Sequence, residues 1–172
     1  MDKFFAREIR GIAIPGIIAA GTLFYVLWAF FLSITWTLLF EDSGLGYSVE
    51  DEASMIITLM VLAPVLAFVE ELLSRLPLSL MCKWGAPRNA KAQVLFVISM
   101  GLLFGTWHSL ESGSEIFAMC MQGVGGIMLG LVYLWTGGYN GKTVKPLVIT
   151  TVIHTCMNWT LWTFDLLFLL MQ

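Results

Sequence analysis

The amino-acid sequence predicts an all-α membrane protein, a bundle of about five transmembrane helices. Hydrophobic residues make up 58% of the 172 residues and charged residues only 12%, whereas a soluble domain carries about 25% charged residues. Five apolar stretches are long enough to cross a hydrocarbon core of about 30 Å, which takes about 20 helical residues. They lie near residues 11–40, 53–82, 92–110, 116–137 and 146–171.

Charged residues between the apolar stretches predict the orientation of the bundle. Basic residues precede the first stretch and separate the second from the third and the fourth from the fifth: Lys3, Arg7, Arg10, Lys83, Arg88, Lys91, Lys142 and Lys145. The two alternate segments contain acids and no base. The positive-inside rule therefore predicts a cytoplasmic N-terminus and an extracytoplasmic C-terminus. We expect one multi-pass domain of the cell membrane over residues 1–172, in contact with membrane lipid.

Composition argues against two classes of function. The net charge is −3 and the sequence contains no basic run, so we expect no nucleic-acid partner. The chain has three cysteines, Cys82, Cys120 and Cys156, without close spacing. An odd, widely spaced set predicts neither a disulfide framework nor a CxxC metal site.

Prolines and glycines predict local features of two helices. Pro64 is expected to kink the second helix, and Pro77 is expected to end it early. In the fourth stretch, Gly126 and Gly130 form a small-xxx-small pair, which lets helices approach closely. We interpret this pair as packing within one bundle.

Among the polar residues inside the apolar stretches, six define a candidate site: Glu70, Glu71, Arg75, His108, His154 and Asn158. A charged group in the bilayer costs at least about 2.5–3.5 kcal/mol, and such groups usually pair or mark a function. Single membrane histidines also serve as hydrogen-bonding links between helices. The combination of six such residues favours a functional site.

Helical spacing assigns some of these residues to pairs. Glu71 and Arg75 are four residues apart and share a helix face, so they are predicted to form a structural ion pair. The Glu70 side chain points about 100° away from the face that Glu71 and Arg75 share. It therefore lacks the arginine as a partner and is suited to act as a general base. His154 and Asn158 share one face of the last stretch. Counting about 1.5 Å per residue, we expect one site below the middle of the membrane, reached from the cytoplasm or laterally.

Three motifs in separate stretches resemble those of a known family. Glu70-Glu71-Leu72-Leu73-Ser74-Arg75 fits EExxxR, Phe104 to His108 fits FxxxH, and His154 to Asn158 fits HxxxN. In this order the motifs resemble the CPBP family of intramembrane proteases, also called the ABI or type II CAAX prenyl endopeptidase family. The resemblance covers about residues 60–160. One departure is that Leu76 and Pro77 follow the motif arginine, where many relatives have glycine.

The resemblance implies an intramembrane endopeptidase of the glutamic type. It implies that Glu70 and His108 activate a water molecule and that His154 and Asn158 stabilise the oxyanion. A carboxylate that takes the proton of water and fixed donors that hold the developing charge are consistent with hydrolysis of a peptide bond. The implied substrate is a peptide or protein. The resemblance leaves open whether this substrate is prenylated or anchored in the membrane.

The same residues leave other interpretations open. Glu70, His108 and His154 form the two-histidine, one-carboxylate set that binds catalytic zinc, although HExxH is absent; we expect no cofactor, with zinc as the alternative. A proton-coupled transporter also needs buried acids and histidines, but no internal repeat supports it. A third alternative is a non-enzymatic membrane immunity or binding protein.

Overall fold

The part of the chain that the structure describes folds into five long α-helices. The computed structural model describes residues 13–40, 49–84, 89–112 and 115–171. The helices are α1 (Ile14–Phe40), α2 (Val49–Trp84), α3 (Ala90–Ser112), α4 (Glu115–Trp135) and α5 (Val144–Leu170), with a 3-10 helix at Gly138–Asn140 before α5. The described ranges contain no strand. The predicted all-α class is therefore confirmed.

The outer surface of the bundle is apolar, as expected for contact with lipid. Large hydrophobic side chains such as Val61, Leu73 and Leu103 are more than half exposed. By length and composition, three described segments suit a membrane span: Ile14–Thr35, Ala53–Lys83 and Ala90–Ser109. In α4 the apolar part is shorter, Met119–Trp135. These features fit a helical membrane bundle, while the count of five spans and the orientation stay predictions.

The prediction that Pro77 ends the second helix is wrong. α2 continues through both Pro64 and Pro77 to Trp84. Leu78 and Ser79, directly after Pro77, are buried, and the Ser79 hydroxyl lies 3.0 Å from that of Thr143. A proline removes one helical hydrogen bond, and tertiary packing of the following turn keeps the helix continuous despite that loss.

α3 and α4 form a hairpin whose backbones are in direct contact. A Cβ atom added to Gly105 would lie 2.5 Å from the Met119 carbonyl oxygen, and one added to Gly101 would lie 2.9 Å from the Gly123 carbonyl oxygen. Such contacts require residues without side chains. The sequence analysis selected glycines only on α4; the matching pair Gly101 and Gly105 on α3 has the same four-residue spacing and was missed.

One end of the bundle is closed by a hydrophobic core. We call it the basic end, because Lys83, Arg88, Lys91 and Lys142 lie in or beside the α2–α3 and α4–α5 connections in the sequence. Its buried cluster joins the last turns of α2 and α4 to the first turns of α3 and α5, through Leu78, Ala90, Val97, Tyr133, Leu134, Tyr139 and Leu147. A second cluster joins α1, α4 and α5 and includes Tyr25, Leu129, Ile149, Ile153 and Met157. We call the opposite end the acidic end.

The glycine contact between α3 and α4 generates a stability prediction. Gly105→Ala should lower stability by about 1–3 kcal/mol, the usual range for overpacking, because the added methyl group meets backbone atoms. Gly16→Ala is the matched control, because its new Cβ meets nothing within 4 Å and alanine favours the helix by up to about 1 kcal/mol. Thermal unfolding in detergent measures both. Equal melting temperatures would contradict the close backbone contact.

Candidate active site

Glu71 and Arg75 form a buried ion pair on α2. Arg75 Nε lies 3.0 Å from Glu71 Oε2, and Arg75 Nη2 lies 3.4 Å from Glu71 Oε1. The side chains are only 2% and 3% exposed. Each charge is neutralised by the other, which a buried ion requires. The contact has the four-residue spacing that the sequence analysis used.

Arg75 also ties α2 to α4. Its Nη2 donates a hydrogen bond to the Gly126 carbonyl oxygen at 3.1 Å. A Cβ atom on Gly130 would lie 3.1 Å from Arg75 Nη1, so the missing side chain leaves room for the guanidinium group. The two glycines selected from the sequence therefore pack inside the bundle, and one of them also accepts a bond from the ion pair.

His154 lies between the two adjacent glutamates. Its Nδ1 is 3.3 Å from Glu71 Oε1, and its Nε2 is 3.5 Å from Glu70 Oε2. A neutral imidazole donates through only one nitrogen, whereas an imidazolium donates through both. The resemblance implied that Glu70 acts together with His108. In the structure, Glu70 contacts His154.

The two glutamates have different surroundings although they are neighbours in sequence. The Glu70 side chain is 34% exposed and that of Glu71 is 2% exposed. Glu70 lines an open cavity, and Glu71 is buried behind it. The roughly 100° rotation per helical residue produces this separation. Glu70 is therefore the glutamate that can reach a substrate.

His108 on α3 is oriented by Phe104, one helical turn earlier. Its Nδ1 lies 3.0 Å from the Phe104 carbonyl oxygen. A carbonyl oxygen only accepts, so Nδ1 carries the proton, and in a neutral ring Nε2 has the free lone pair. The Phe104 and His108 rings are 4.3 Å apart between centroids, and Phe104 also packs edge-on against His154. The FxxxH motif thus fixes both position and tautomer.

A cavity of about 1070 Å³ is lined by all four residues that the resemblance implies are catalytic. They are Glu70 on α2, His108 on α3, and His154 and Asn158 on α5. The remaining wall is mostly apolar and includes Phe30, Leu66, Met121, Leu161 and Phe168.

Three further polar residues of the wall were missed by the sequence analysis: Ser33, Gln122 and Asp165. The Gln122 Oε1 atom accepts a hydrogen bond from the buried Tyr25 hydroxyl at 3.3 Å, which fixes the amide. Asp165 follows Asn158 by seven residues, which is about two helical turns. This spacing places it on the helix face of His154 and Asn158, so its position at the site could have been predicted from the sequence. Gln122 and Ser33 carried no such signal, because their apolar stretches contain none of the six candidate residues from which a helical spacing could be counted.

The described residues do not form a metal site. No group of three His, Cys, Asp or Glu side chains in the described ranges is arranged to hold a metal ion. Of the zinc set considered from the sequence, Glu70 and His154 contact each other, and His108 lines the same cavity. Zinc therefore stays an alternative.

The described helices fit a membrane bundle in which a carboxylate and two imidazoles line one cavity. Residues 52–160 match the family model described as Type II CAAX prenyl endopeptidase Rce1-like. The match covers more than half of the chain and includes all three motifs, so the chain belongs to this family. No curated protein and no solved structure matches it. Membership supports an endopeptidase activity on a peptide or protein substrate at a membrane.

The surroundings of the two glutamates generate a second stability prediction. Glu71→Gln should destabilise the protein by roughly 3–5 kcal/mol, because Arg75 would stay buried without its counter-charge. Glu70→Gln keeps the side-chain shape at a partly exposed position and should unfold close to the wild type. Melting temperatures in one detergent test both. A fully stable Glu71→Gln protein would mean that Arg75 does not depend on Glu71.

Proposed function

We propose that the protein is an intramembrane endopeptidase that cleaves a peptide bond with a water molecule activated by Glu70 and His108. The observation that carries the proposal is the common wall of Glu70, His108, His154 and Asn158 in one cavity. Behind this wall, Glu71 and Arg75 are buried and paired. The arrangement separates groups that can meet a substrate from groups that hold the helices together.

The proposed reaction begins with proton transfer from water to Glu70. The water oxygen attacks the scissile carbonyl carbon as the Glu70 carboxylate takes its proton. His108 Nε2, whose lone pair is left free by the bond from Nδ1 to Phe104, accepts a hydrogen bond from the other O–H of the water and orients it, and that hydrogen stays on the oxygen. Glu70 then returns its proton to the leaving amine nitrogen, and the carbon–nitrogen bond breaks. Atoms and charge balance without a cofactor.

His154 and Asn158 are proposed to hold the oxygen that becomes negative. Asn158 supplies an amide N–H from the wall of the cavity, one helical turn from His154. Because Glu71 accepts from Nδ1 of His154, His154 can donate Nε2–H to the oxyanion only as an imidazolium. Preorganised donors of this kind usually make the largest electrostatic contribution to catalysis.

Family membership favours hydrolysis over transport, because residues 52–160 match an endopeptidase family model. The sequence also contains no internal repeat of the kind on which many transporters are built.

The substrate is identified by comparing cells that contain active enzyme with cells that contain Glu70→Gln. Peptide termini that appear only with active enzyme mark cleavage sites, and the corresponding synthetic peptides then serve in assays of purified protein. Glu70→Gln should abolish turnover, because it removes the base and keeps the shape. Turnover by folded Glu70→Gln protein would contradict the proposed base. A folded wild-type protein that cuts nothing would favour the binding or immunity alternative. Loss of turnover on chelation, together with bound metal in the purified protein, would favour the zinc alternative.

Asn158→Ala tests the oxyanion role. Loss of one such donor costs roughly 100- to 1000-fold in turnover, so kcat should fall by about that factor with little change in KM, since the bond forms mainly in the transition state. Circular dichroism and melting temperature measure the folded fraction in the same preparation. A normal kcat per folded molecule would exclude the role and leave Asn158 as a link between helices.

A further inference from the structure

Gln122 on α4 is a polar residue of the cavity wall that the proposed reaction does not use. Its neighbours in the wall are mostly apolar, such as Met121 on the same helix. A polar side chain in an apolar bundle gives up hydrogen bonds to water and needs other partners in their place. The primary amide of Gln122 has an oxygen that accepts and a nitrogen with two N–H donors, and the two atoms have different surroundings.

Tyr25 on α1 determines which way the Gln122 amide is turned. The Tyr25 hydroxyl lies 3.3 Å from Gln122 Oε1, and Tyr25 is only 2% exposed. Within the described ranges, the Tyr25 hydroxyl has no other hydrogen-bond partner. A buried O–H group without an acceptor is strongly unfavourable, so this hydroxyl must donate. Only the oxygen of the amide can accept, and Oε1 of Gln122 therefore faces Tyr25.

The contact between Tyr25 and Gln122 is held in place by packing of α1 on α4. A Cβ atom added to Gly125 would lie 2.6 Å from Tyr25 Cε2, so the missing side chain leaves room for the tyrosine ring. Gly125 follows Gln122 by three residues and shares its helix face. One turn after Tyr25, the Trp28 Nε1 atom donates a hydrogen bond to the Cys120 carbonyl oxygen at 3.3 Å. Contacts on both sides of Gln122 thus keep the tyrosine hydroxyl beside the amide.

The amide nitrogen of Gln122 is left available to a bound molecule. The Gln122 side chain makes no hydrogen bond other than that with Tyr25 in the part of the chain that the structure describes. Its Nε2 atom is also not among the fully buried polar atoms that lack a partner, so this atom is accessible. Because Gln122 lines the cavity, the accessible nitrogen offers its N–H donors to whatever the cavity holds.

The acceptor that suits this donor is a neutral one. Glu70 lines the same cavity, and none of the described lining residues is Lys or Arg, so an anionic acceptor would lack a counter-charge. A peptide carries one neutral carbonyl acceptor at every residue. In an apolar cavity those carbonyl oxygens lose their hydrogen bonds to water, and a fixed N–H donor restores one of them.

We infer that Gln122 is a substrate-binding residue whose Nε2 atom donates a hydrogen bond to a backbone carbonyl oxygen of the bound peptide. The bonded carbonyl is not the one that is cleaved, because His154 and Asn158 on α5 hold that oxygen in the proposed reaction. Tyr25 is a positioning residue that keeps the amide in its donor orientation. The inference rests on the proposed function for cleavage, whereas peptide binding at Gln122 is testable without cleavage.

Peptide binding to Glu70→Gln protein tests the donor. The probe is a short, capped, fluorescent peptide of alternating leucine and alanine, because a bond to the backbone does not depend on the peptide's side chains. Gln122→Met in this background should weaken binding by about 3- to 10-fold, the usual effect of one hydrogen bond between neutral groups. Fluorescence anisotropy in detergent gives Kd, and melting temperature gives the folded fraction. Gln122→Glu, which keeps an oxygen for Tyr25 and removes both N–H donors, replaces Gln122→Met if the latter does not fold.

Gln93→Met is the matched control for the binding measurement. Gln93 on α3 is 3% exposed, does not line the cavity, and its Oε1 has no hydrogen-bond partner within the described ranges. The same chemical change there should leave Kd unchanged. Equal Kd values for Gln122→Met and Gln93→Met, or no saturable binding of the peptide to Glu70→Gln protein, would overturn the inference.

A double-mutant cycle separates the positioning role of Tyr25 from a general contribution to stability. Tyr25→Phe removes the hydroxyl that orients the amide, so it should weaken peptide binding when Gln122 is present. In the Gln122→Met background there is no amide to orient, and Tyr25→Phe should then leave Kd unchanged. An equal effect of Tyr25→Phe in both backgrounds would overturn the positioning role.

Changes in the peptide backbone identify the acceptor. Each amide oxygen of the probe is replaced in turn by sulfur, which is a weaker acceptor. At one position the replacement should weaken binding to protein that contains Gln122 and have a smaller effect with Gln122→Met. Equal effects on both proteins at every position would overturn the backbone carbonyl as the partner.

Kinetics of the active enzyme distinguish this inference from the proposed hydrolysis. Gln122→Met should raise KM by about 3- to 10-fold with little change in kcat, because the bond is made equally in the ground state and the transition state. A fall in kcat with unchanged KM would instead make Gln122 an oxyanion donor and overturn the binding role. If binding depends on Gln122 but active enzyme cuts no peptide, the binding inference stands and the proposed hydrolysis fails.

Discussion

The buried hydrogen-bonding group around Glu71 is the interaction on which the rest of the site depends. Glu71 accepts from Arg75 on its own helix and contacts His154 on α5, while Arg75 donates to the Gly126 carbonyl oxygen on α4. Three helices are thereby joined at one point inside the apolar bundle. An unpaired charge at that depth would be strongly unfavourable, so the helices must stay in the register that satisfies all three groups. The same register sets the position of Glu70 and of the His154 ring.

Adjacent glutamates allow one helix turn to provide both structure and chemistry. A single carboxylate cannot be fully neutralised by a buried arginine and also be free to accept a proton from water. Placing a second carboxylate at the next position rotates it by about 100°, out of the ion pair and onto the cavity wall. His154 contacts both carboxylates, so the structural pair holds the ring that faces the reactive glutamate. These two different surroundings account for the two consecutive glutamates of the EExxxR motif.

Much of the site was predictable because helical spacing is regular. The Glu71–Arg75 contact and the shared face of His154 and Asn158 need only a four-residue spacing, and hydropathy locates the helices that carry them. Contacts between helices were not predictable in the same way. The approach of Arg75 to the Gly126 carbonyl, the Tyr25–Gln122 bond and the Glu70–His154 contact depend on helix register across the bundle, which one sequence does not specify. The error at Pro77 has a related cause, since packing of Leu78 and Ser79 decides whether the helix continues.

The proposed hydrolysis moves one negative charge beside the buried pair of Arg75 and Glu71, whose own charges do not change. In the proposed reaction Glu70 loses its negative charge as it takes the proton of water, and the substrate oxygen gains one. The net charge of the site is unchanged, so no new ion is created in a region of low dielectric constant, where an uncompensated charge costs most. The negative charge moves over a short distance along the wall, from Glu70 toward the donors of Asn158 and His154. Arg75 and Glu71 keep their own charges paired throughout. The buried pair therefore holds the electrostatic environment constant while the reacting charge is transferred, which is the condition for preorganised stabilisation of a transition state.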